Sequence, residues 1–156
     1  MLAKAVNSAE MLREALAREV DAARGERTLL RSLDSHALLR RAASRADFQA
    51  RVARLEEQLH AALAASAEQF GLEVVTLATL AEREPEASAT LSRVFGEVRA
   101  IAAALAELDR MNQFLASRAL RMVTSYVEAI APAPSAYDRR GLRAISTAGA
   151  VVSNRV

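Results

Sequence analysis

The chain has 156 residues, a net charge of +2 and no cysteine, which fits one domain and excludes disulfides, thiolate metal sites and cysteine nucleophiles. It contains 36 alanines and 20 leucines, whereas aromatic residues make up 4% and glycine and proline are scarce. Because alanine and leucine favour helices and strand-forming residues are few, the composition predicts an all-α fold and excludes α/β and all-β domains.

The first predicted helix has an apolar seven-residue repeat, as helices that pack side by side require. Asn7 or Ser8 is a candidate N-cap for its start. Gly25 lies inside the pattern and weakens the helix without necessarily ending it. The repeat consists of Leu2, Ala9, Leu16, Ala23, Leu30 and Ala37.

The second predicted helix follows Asp34, whose carboxylate can accept hydrogen bonds from the first free amides. Its apolar face continues to Phe70, and Gly71 is expected to end it as a C-terminal capping residue. Ser44, with Asp47 three residues later, could cap a restart, so we expect a break near 43–45.

Residues 72–84 are predicted to form a connector with a short helix that packs through Leu77 and Leu80. Pro85 suits the first turn of a helix, and an apolar pattern runs from there to residue 130. The Pro-rich stretch 131–135 ends this third long helix, because proline lacks the amide donor that a helix needs. The last residues show no strong period.

Together these elements predict an elongated antiparallel helical bundle of three long helices with a short connector helix and a flexible C-terminal tail. The expected domains are a helical bundle at residues 1–131 and the tail at residues 132–156. A helix of ~45 residues cannot bury its apolar face alone. It therefore needs the other two helices beside it, a partner, or both.

The sequence predicts no catalytic residue, metal site or cofactor. His36 and His60, the only histidines, lie 24 residues apart and outside any metal-binding spacing, so we expect both on exposed helix faces. No phosphate-binding or nucleophile motif is present, and paired acidic residues are most simply explained as solvated faces. No apolar run approaches the ~20 residues of a membrane span, and no basic stripe alternates with aromatics as in nucleic-acid binders. We therefore expect a binding protein in the cytoplasm, without membrane insertion or nucleic acid.

Three groups of residues are candidates for binding. Met11, Met111 and Met122 are either core fillers, the interpretation we favour, or an adaptable apolar surface. A second group is the pair Asp109 and Asn112, which either fixes helix register or binds a partner's backbone, or simply lies at an exposed edge. The third is Tyr137 with its neighbours Asp138, Arg139 and Arg140, because a lone aromatic beside arginines can anchor a short interaction motif.

Several stretches of the chain resemble the FlgN family of flagellar export chaperones, and the resemblance covers nearly the whole length. Residues 26–30 and 34–38 are similar to its E-R-x-x-L and D-x-x-A-L patterns. Residues 107–115 look like E-L-N-x-x-N-x-x-L, although this chain has Asp109 where the family usually has Asn. Residues 137–141 resemble its C-terminal Y-D/G-x-x-G.

The resemblance implies a cytoplasmic chaperone of flagellar type III secretion that binds hook-associated (hook–filament junction) proteins, keeps them soluble and delivers them to the export gate and ATPase complex. It also implies an export-gate contact formed by Tyr137, Asp138 and Gly141. The candidate client-binding residues by the same resemblance are Met111, Asn112, Leu115, Met122 and Tyr126.

Self-association is the alternative. The long apolar seams are also what a structural coiled-coil protein would need, and a homo-oligomer is compatible with either function.

Overall fold

The structure, a computed structural model, describes residues 2–130, and these form four helices and no strand. The predicted all-α class is confirmed, with the expected three long helices and one short one. Contacts divide the chain into two units, one up to Ala119 and one from Leu120 on. The helices are α1 (Leu2–Ser32), α2 (Ser35–Phe70), α3 (Leu77–Ala81) and α4 (Pro85–Ile130).

Both predicted caps of α2 are present. The Asp34 side chain accepts a hydrogen bond from the Ala37 amide at 2.9 Å, which satisfies one of the free donors at the helix start. At the other end Gly71 adopts a left-handed conformation with φ of 63°. The amide of Leu72 then bonds to the carbonyl of Ala67 at 2.9 Å, as in a Schellman motif.

Two other boundary predictions are wrong. α1 begins at Leu2 rather than near Ser8, and Ser8 lies inside the helix with only 8% of its surface exposed. α2 runs through 43–45 without a break, and both Ser44 and Asp47 lie on its exposed side. Serine and aspartate favour helix ends, but they are tolerated inside a helix when the apolar residues around them pack against other helices. The stability gained from this packing exceeds the cost of their weak helix propensity.

The turn between α1 and α2 uses only two residues. Leu33 has a φ of 53°, in the left-handed region, and is the one non-glycine residue with positive φ among those described. Its side chain is 45% exposed. A leucine in this conformation carries a steric cost of roughly 1 kcal/mol, because Cβ crowds the carbonyl oxygen.

The connector contains the predicted short helix α3, capped by Thr76. Leu80 is buried as expected, but Leu77 is 37% exposed, so its predicted packing is wrong. The backbone of Leu77 has another role, because its carbonyl accepts a hydrogen bond from the Ser88 hydroxyl at 2.8 Å. This bond ties α3 to the first turn of α4, which begins at Pro85 as predicted.

The core of residues 2–119 consists of two apolar clusters along α1. The predicted seam of α1 is confirmed, since its members at positions 2, 9, 16, 23 and 30 are all buried. The first cluster joins the start of α1 to the later part of α2, α3 and the start of α4, so α1 runs antiparallel to α2 and parallel to α4. It contains Leu2, Ala5, Ala9, Leu59, Leu80, Leu91 and Val94. The second contains Leu12, Ala15, Leu16, Val20, Ala23, Leu55 and Leu105.

Candidate functional site

Exposed apolar side chains are concentrated in the later part of α4. In residues 2–119 the exposed ones there are Met111 and Phe114, which are 44% and 57% exposed, while Leu115 is half-buried. Met11 on α1 is also 48% exposed. The interpretation of Met11 and Met111 as core fillers is therefore wrong, and these flexible side chains are available at the surface.

Residues 120–130 form the described part of the second unit, and every one of them is exposed. Helical spacing places positions 120, 123, 127 and 130 along one side, with positions 122 and 126 beside them. Single exposed apolar residues are common on proteins, but six large ones in this short stretch form a patch of the type that binds partners. These six are Leu120, Met122, Val123, Tyr126, Val127 and Ile130.

Asn112 differs from the other predicted client residues because it is buried. Only 2% of its surface is exposed, and its side-chain amide donates a hydrogen bond to the carbonyl oxygen of Ala23 at 2.8 Å. Its Oδ1 is also enclosed and accepts no hydrogen bond from the residues that the structure describes. Of the alternatives from sequence, the exposed edge is excluded for Asn112, and the amide fixes the register of α4 on α1.

Asp109 joins an ion-pair network between α1, α2 and α4. It binds the guanidinium of Arg45, which also lies 3.6 Å from a carboxylate oxygen of Glu26. Glu26 in turn accepts a hydrogen bond from Arg41 at 3.2 Å. Asp109 therefore connects α4 directly to α2 and, through Arg45, to Glu26 of α1, so these ion pairs help to set the register of the three helices.

The most enclosed part of the network is the pair formed by Arg41 and Glu19, with side chains 9% and 5% exposed. The two groups meet in a bidentate contact of 2.5 and 3.2 Å, which suits the planar guanidinium. Hydrogen bonding to Glu19, more than the field of Glu26, raises the pKa of Arg41 above its ordinary value.

Glu19, Arg41 and Arg45 were missed by sequence reasoning, although one signal pointed to them. Glu19 lies between Leu16, Val20 and Ala23 on the inner side of α1, where a charged residue needs a partner. The partner arginines belong to another helix, so no local pattern identifies them.

A second ion-pair cluster holds the first half of α4 against α1. Glu97 accepts hydrogen bonds from Arg93 at 2.6 Å and from Arg13 at 3.1 Å. The guanidinium of Arg93, and then that of Arg13, lowers the pKa of Glu97 below its ordinary value of 4.5. Its contribution to stability is therefore present above pH 4.5 and is lost as the pH falls through the lower pKa of the folded state.

The two histidines and the predicted export-gate residues remain to be located. His36 and His60 are exposed on α2, as expected. The predicted export-gate residues Tyr137, Asp138 and Gly141 lie outside the described residues.

Within residues 2–130, no three acidic or histidine side chains come together in a way that could hold a metal ion. The helices of this part of the chain also lack any stretch long and apolar enough to cross a membrane.

Comparison with protein families gives a match over most of the chain. The family model described as FlgN protein matches residues 1–144. No curated protein and no solved structure matches the chain.

Proposed function

Since the chain belongs to the FlgN family, as the match over residues 1–144 shows, we propose that it is a flagellar type III export chaperone. It acts in the cytoplasm, binds hook-associated proteins of the hook–filament junction and keeps them soluble. It then delivers them to the export gate and its ATPase complex. This is a binding function without a catalytic step.

The observation that carries this proposal is the exposed apolar surface of residues 120–130. A client that is held before assembly exposes its own apolar helical stripe, and an amphipathic helix binds such a stripe through side chains spaced three and four residues apart. Met122 and Tyr126 have this spacing and are 54% and 65% exposed. Aliphatic and methionine side chains suit a client that must later be released, because they adapt their shape and form few rigid anchors.

The other candidate client residues take different parts in the proposal. Met111 and the exposed edge of Leu115 contribute apolar contacts in residues 2–119. Asn112 acts indirectly, since it is bonded to Ala23 and holds the backbone of α4 in place. In this proposal the side chains of α4 on both sides of Ala119 bind the client, and residues 132–156 act as a docking segment.

Introducing charges at exposed apolar positions tests the client surface. We expect Met122→Glu with Tyr126→Glu to weaken binding of a hook–filament junction protein by at least about tenfold, because two apolar contacts are replaced by charges that must be desolvated. Isothermal titration calorimetry measures the affinity. The matched control is Ala103→Glu, on an exposed position of α4 within residues 2–119.

The control variant should bind like the wild type, and circular dichroism should show full helicity for both variants. Client affinity that is equal in all three proteins would contradict the assignment of this surface.

The export gate is proposed to contact Tyr137, with Asp138 and Gly141 beside it, by the resemblance of residues 137–141 to the family's C-terminal motif. We expect Tyr137→Ala to retain client affinity and to weaken binding to the cytosolic domain of the gate protein, since an aromatic anchor is removed. Tyr137→Phe is the matched control, because it keeps the ring. Gate affinity that is the same for Tyr137→Ala and wild type would refute this contact.

A further inference from the structure

A continuous groove lies between α1 and α2, and we call it the α1–α2 groove. It consists of three cavities in a row that share lining residues: Ala15, Arg18 and Arg51 line the first two, and Gln58 lines the second and the third. Its walls extend over positions 3–22 of α1 and 44–65 of α2, which gives a length of ~30 Å. Among the described residues, none of α4 lines it, so the groove is separate from the candidate client surface.

The shape of the α1–α2 groove suits a helix. Its centre is apolar, with Met11, Phe48 and Leu55, and Met11 is 48% exposed although it belongs to no core cluster of residues 2–119. The widest cavity, at the start of α1, has a volume of about 610 Å³, which gives room for side chains of a partner. A further helix packs on two others when these present residues at alternating intervals of three and four. Along α2 the groove has this spacing, at positions 44, 48, 51, 55, 58, 62 and 65.

Two of the acidic residues that line the groove are neutralised by ion pairs. Glu14 lies 3.5 Å from the guanidinium of Arg18, which also lines the groove. Glu19 is enclosed and bound by Arg41. These carboxylates therefore have little attraction left for a positively charged partner.

The charges that remain on the groove are mainly basic. Lys4, Arg51 and Arg54 are exposed and form no ion pair within residues 2–130, and Asp47 is the one acidic residue in the same state. Three cations against one anion favour a partner whose flanks are negatively charged, because opposite charges across an interface select the partner and its orientation.

Two segments of this chain lack that charge. Residues 131–156 carry four arginines and one aspartate, and residues 120–130 carry one arginine and one glutamate. Neither complements a basic groove, so the charges indicate a helix from another protein.

We propose that the α1–α2 groove binds an amphipathic helix of a second protein, with an apolar side that fills the groove and acidic residues on both flanks. The apolar side contacts Met11, Phe48 and Leu55, and the acidic flanks lie against Lys4, Arg51 and Arg54. A helix of about six turns fills the length of the groove. The chain then has two separate binding surfaces, and this one leaves α4 free for the client.

A synthetic peptide tests the groove. The probe is a fluorescent helical peptide of about 21 residues with leucine and alanine at positions a and d and glutamate at positions e and g. Its control has lysine in place of every glutamate. We expect the glutamate peptide to bind the full-length protein at least about tenfold more tightly, measured by fluorescence anisotropy at concentrations where the peptides are monomeric. Equal affinity for the two peptides, or no binding of either, would overturn the proposal.

Charge reversal in the groove tests the position of the flanks. We expect Arg51→Glu with Arg54→Glu to weaken binding of the glutamate peptide by about tenfold and to strengthen binding of the lysine peptide, because attraction and repulsion exchange places. The matched control is Arg40→Glu, at an exposed position of α2 that does not line the groove, and it should bind both peptides like the wild type. Equal effects of the two changes would refute the assigned flanks.

A bulky side chain tests the space inside the groove. Ala61 lines the widest cavity and is exposed, so Ala61→Tyr should weaken binding of the glutamate peptide by about tenfold without a loss of helicity in circular dichroism. Ala64→Tyr is the control, because Ala64 is exposed on the same helix but does not line the groove. Unchanged affinity in Ala61→Tyr would overturn the proposal.

The client-surface variant separates this proposal from the proposed function. Met122→Glu with Tyr126→Glu should keep the full affinity for the glutamate peptide, since both positions lie on α4. Loss of peptide binding in this variant would place the peptide on α4 and overturn the groove site. Peptide binding that is retained, together with client affinity that does not change, would refute the client surface and leave the groove site standing.

Discussion

At the scale of single residues, a buried polar side chain does most to define how the helices meet. Apolar contacts between Ala and Leu tolerate sliding by a turn, because many registers bury similar area. The bond from the Asn112 amide to the Ala23 carbonyl is satisfied in only one register. A slip would leave this amide buried without a partner, at a cost of about 1–3 kcal/mol.

Asn112→Ala should therefore lower the free energy of unfolding by about 2 kcal/mol, through the lost hydrogen bond and the space left behind. Its neighbour Gln113 is exposed, so Gln113→Ala should change stability by less than about 0.5 kcal/mol. Urea denaturation followed by circular dichroism measures both. Equal losses for the two variants would show that the Asn112 bond does not contribute to stability.

The sequence indicated that this site was special but not what it does. Asp109 and Asn112 stand out because they lie three residues apart on an apolar helix face. Their partners, Arg45 and Ala23, are far away along the chain, and no periodicity says which side chains of another helix they meet. The family resemblance implies a place on the client surface for Asn112, whereas in the structure its amide bonds to a backbone carbonyl inside the fold.

At the scale of helices, end signals were predictable where the required geometry is local. The cap at Asp34 depends only on the amide of Ala37, three residues later. The end of α2 depends only on the ability of Gly71 to adopt a positive φ. The cap expected at Ser8 and the break expected at 43–45 failed for a different reason. At these positions the preference of a polar residue for a helix end competes with the burial of a long apolar face. Burial contributes more to the free energy of folding, so the helix continues.

Two glycines provide a matched test of this distinction. Gly25 lies within α1 with nothing inside 4 Å of an added Cβ, so Gly25→Ala should stabilise the protein by roughly 0.5–1 kcal/mol. Gly71 has the same open space but a φ of 63°, so Gly71→Ala should destabilise it by about 1 kcal/mol. Thermal unfolding measures both, and shifts of the same sign would contradict the assigned backbone conformations.

At the scale of the whole described molecule, ion pairs between the helices add to the stability that a small apolar core provides. Three of the residues that are fully enclosed along α1 are alanines at positions 5, 9 and 23, which bury little area each. The network from Glu19 through Arg41 to Glu26 spans two helices, and Arg45 with Asp109 extends it to the third. Removal of one partner from an enclosed network leaves another charge uncompensated.

Arg41→Ala should consequently lower the free energy of unfolding by about 3 kcal/mol, since Glu19 would remain enclosed without its cation. Arg40→Ala is the matched control: it removes the same side chain one position earlier, where it is exposed and outside the network, and should have an effect below about 0.5 kcal/mol. Chemical denaturation at neutral pH compares the two. Similar midpoints for both variants would show that the network adds no stability.

The hydrogen bond between Asn112 and Ala23 also has a consequence for the order of events during synthesis. Its partners are 89 positions apart, whereas the contacts between α1 and α2 close through a two-residue turn. Contacts close in sequence form early, and distant ones wait until the chain is long enough. We therefore expect α1 and α2 to pair once residue 70 has left the ribosome, whereas the part of α1 that contacts α4, including the Ala23 carbonyl, stays uncovered until α4 has been made.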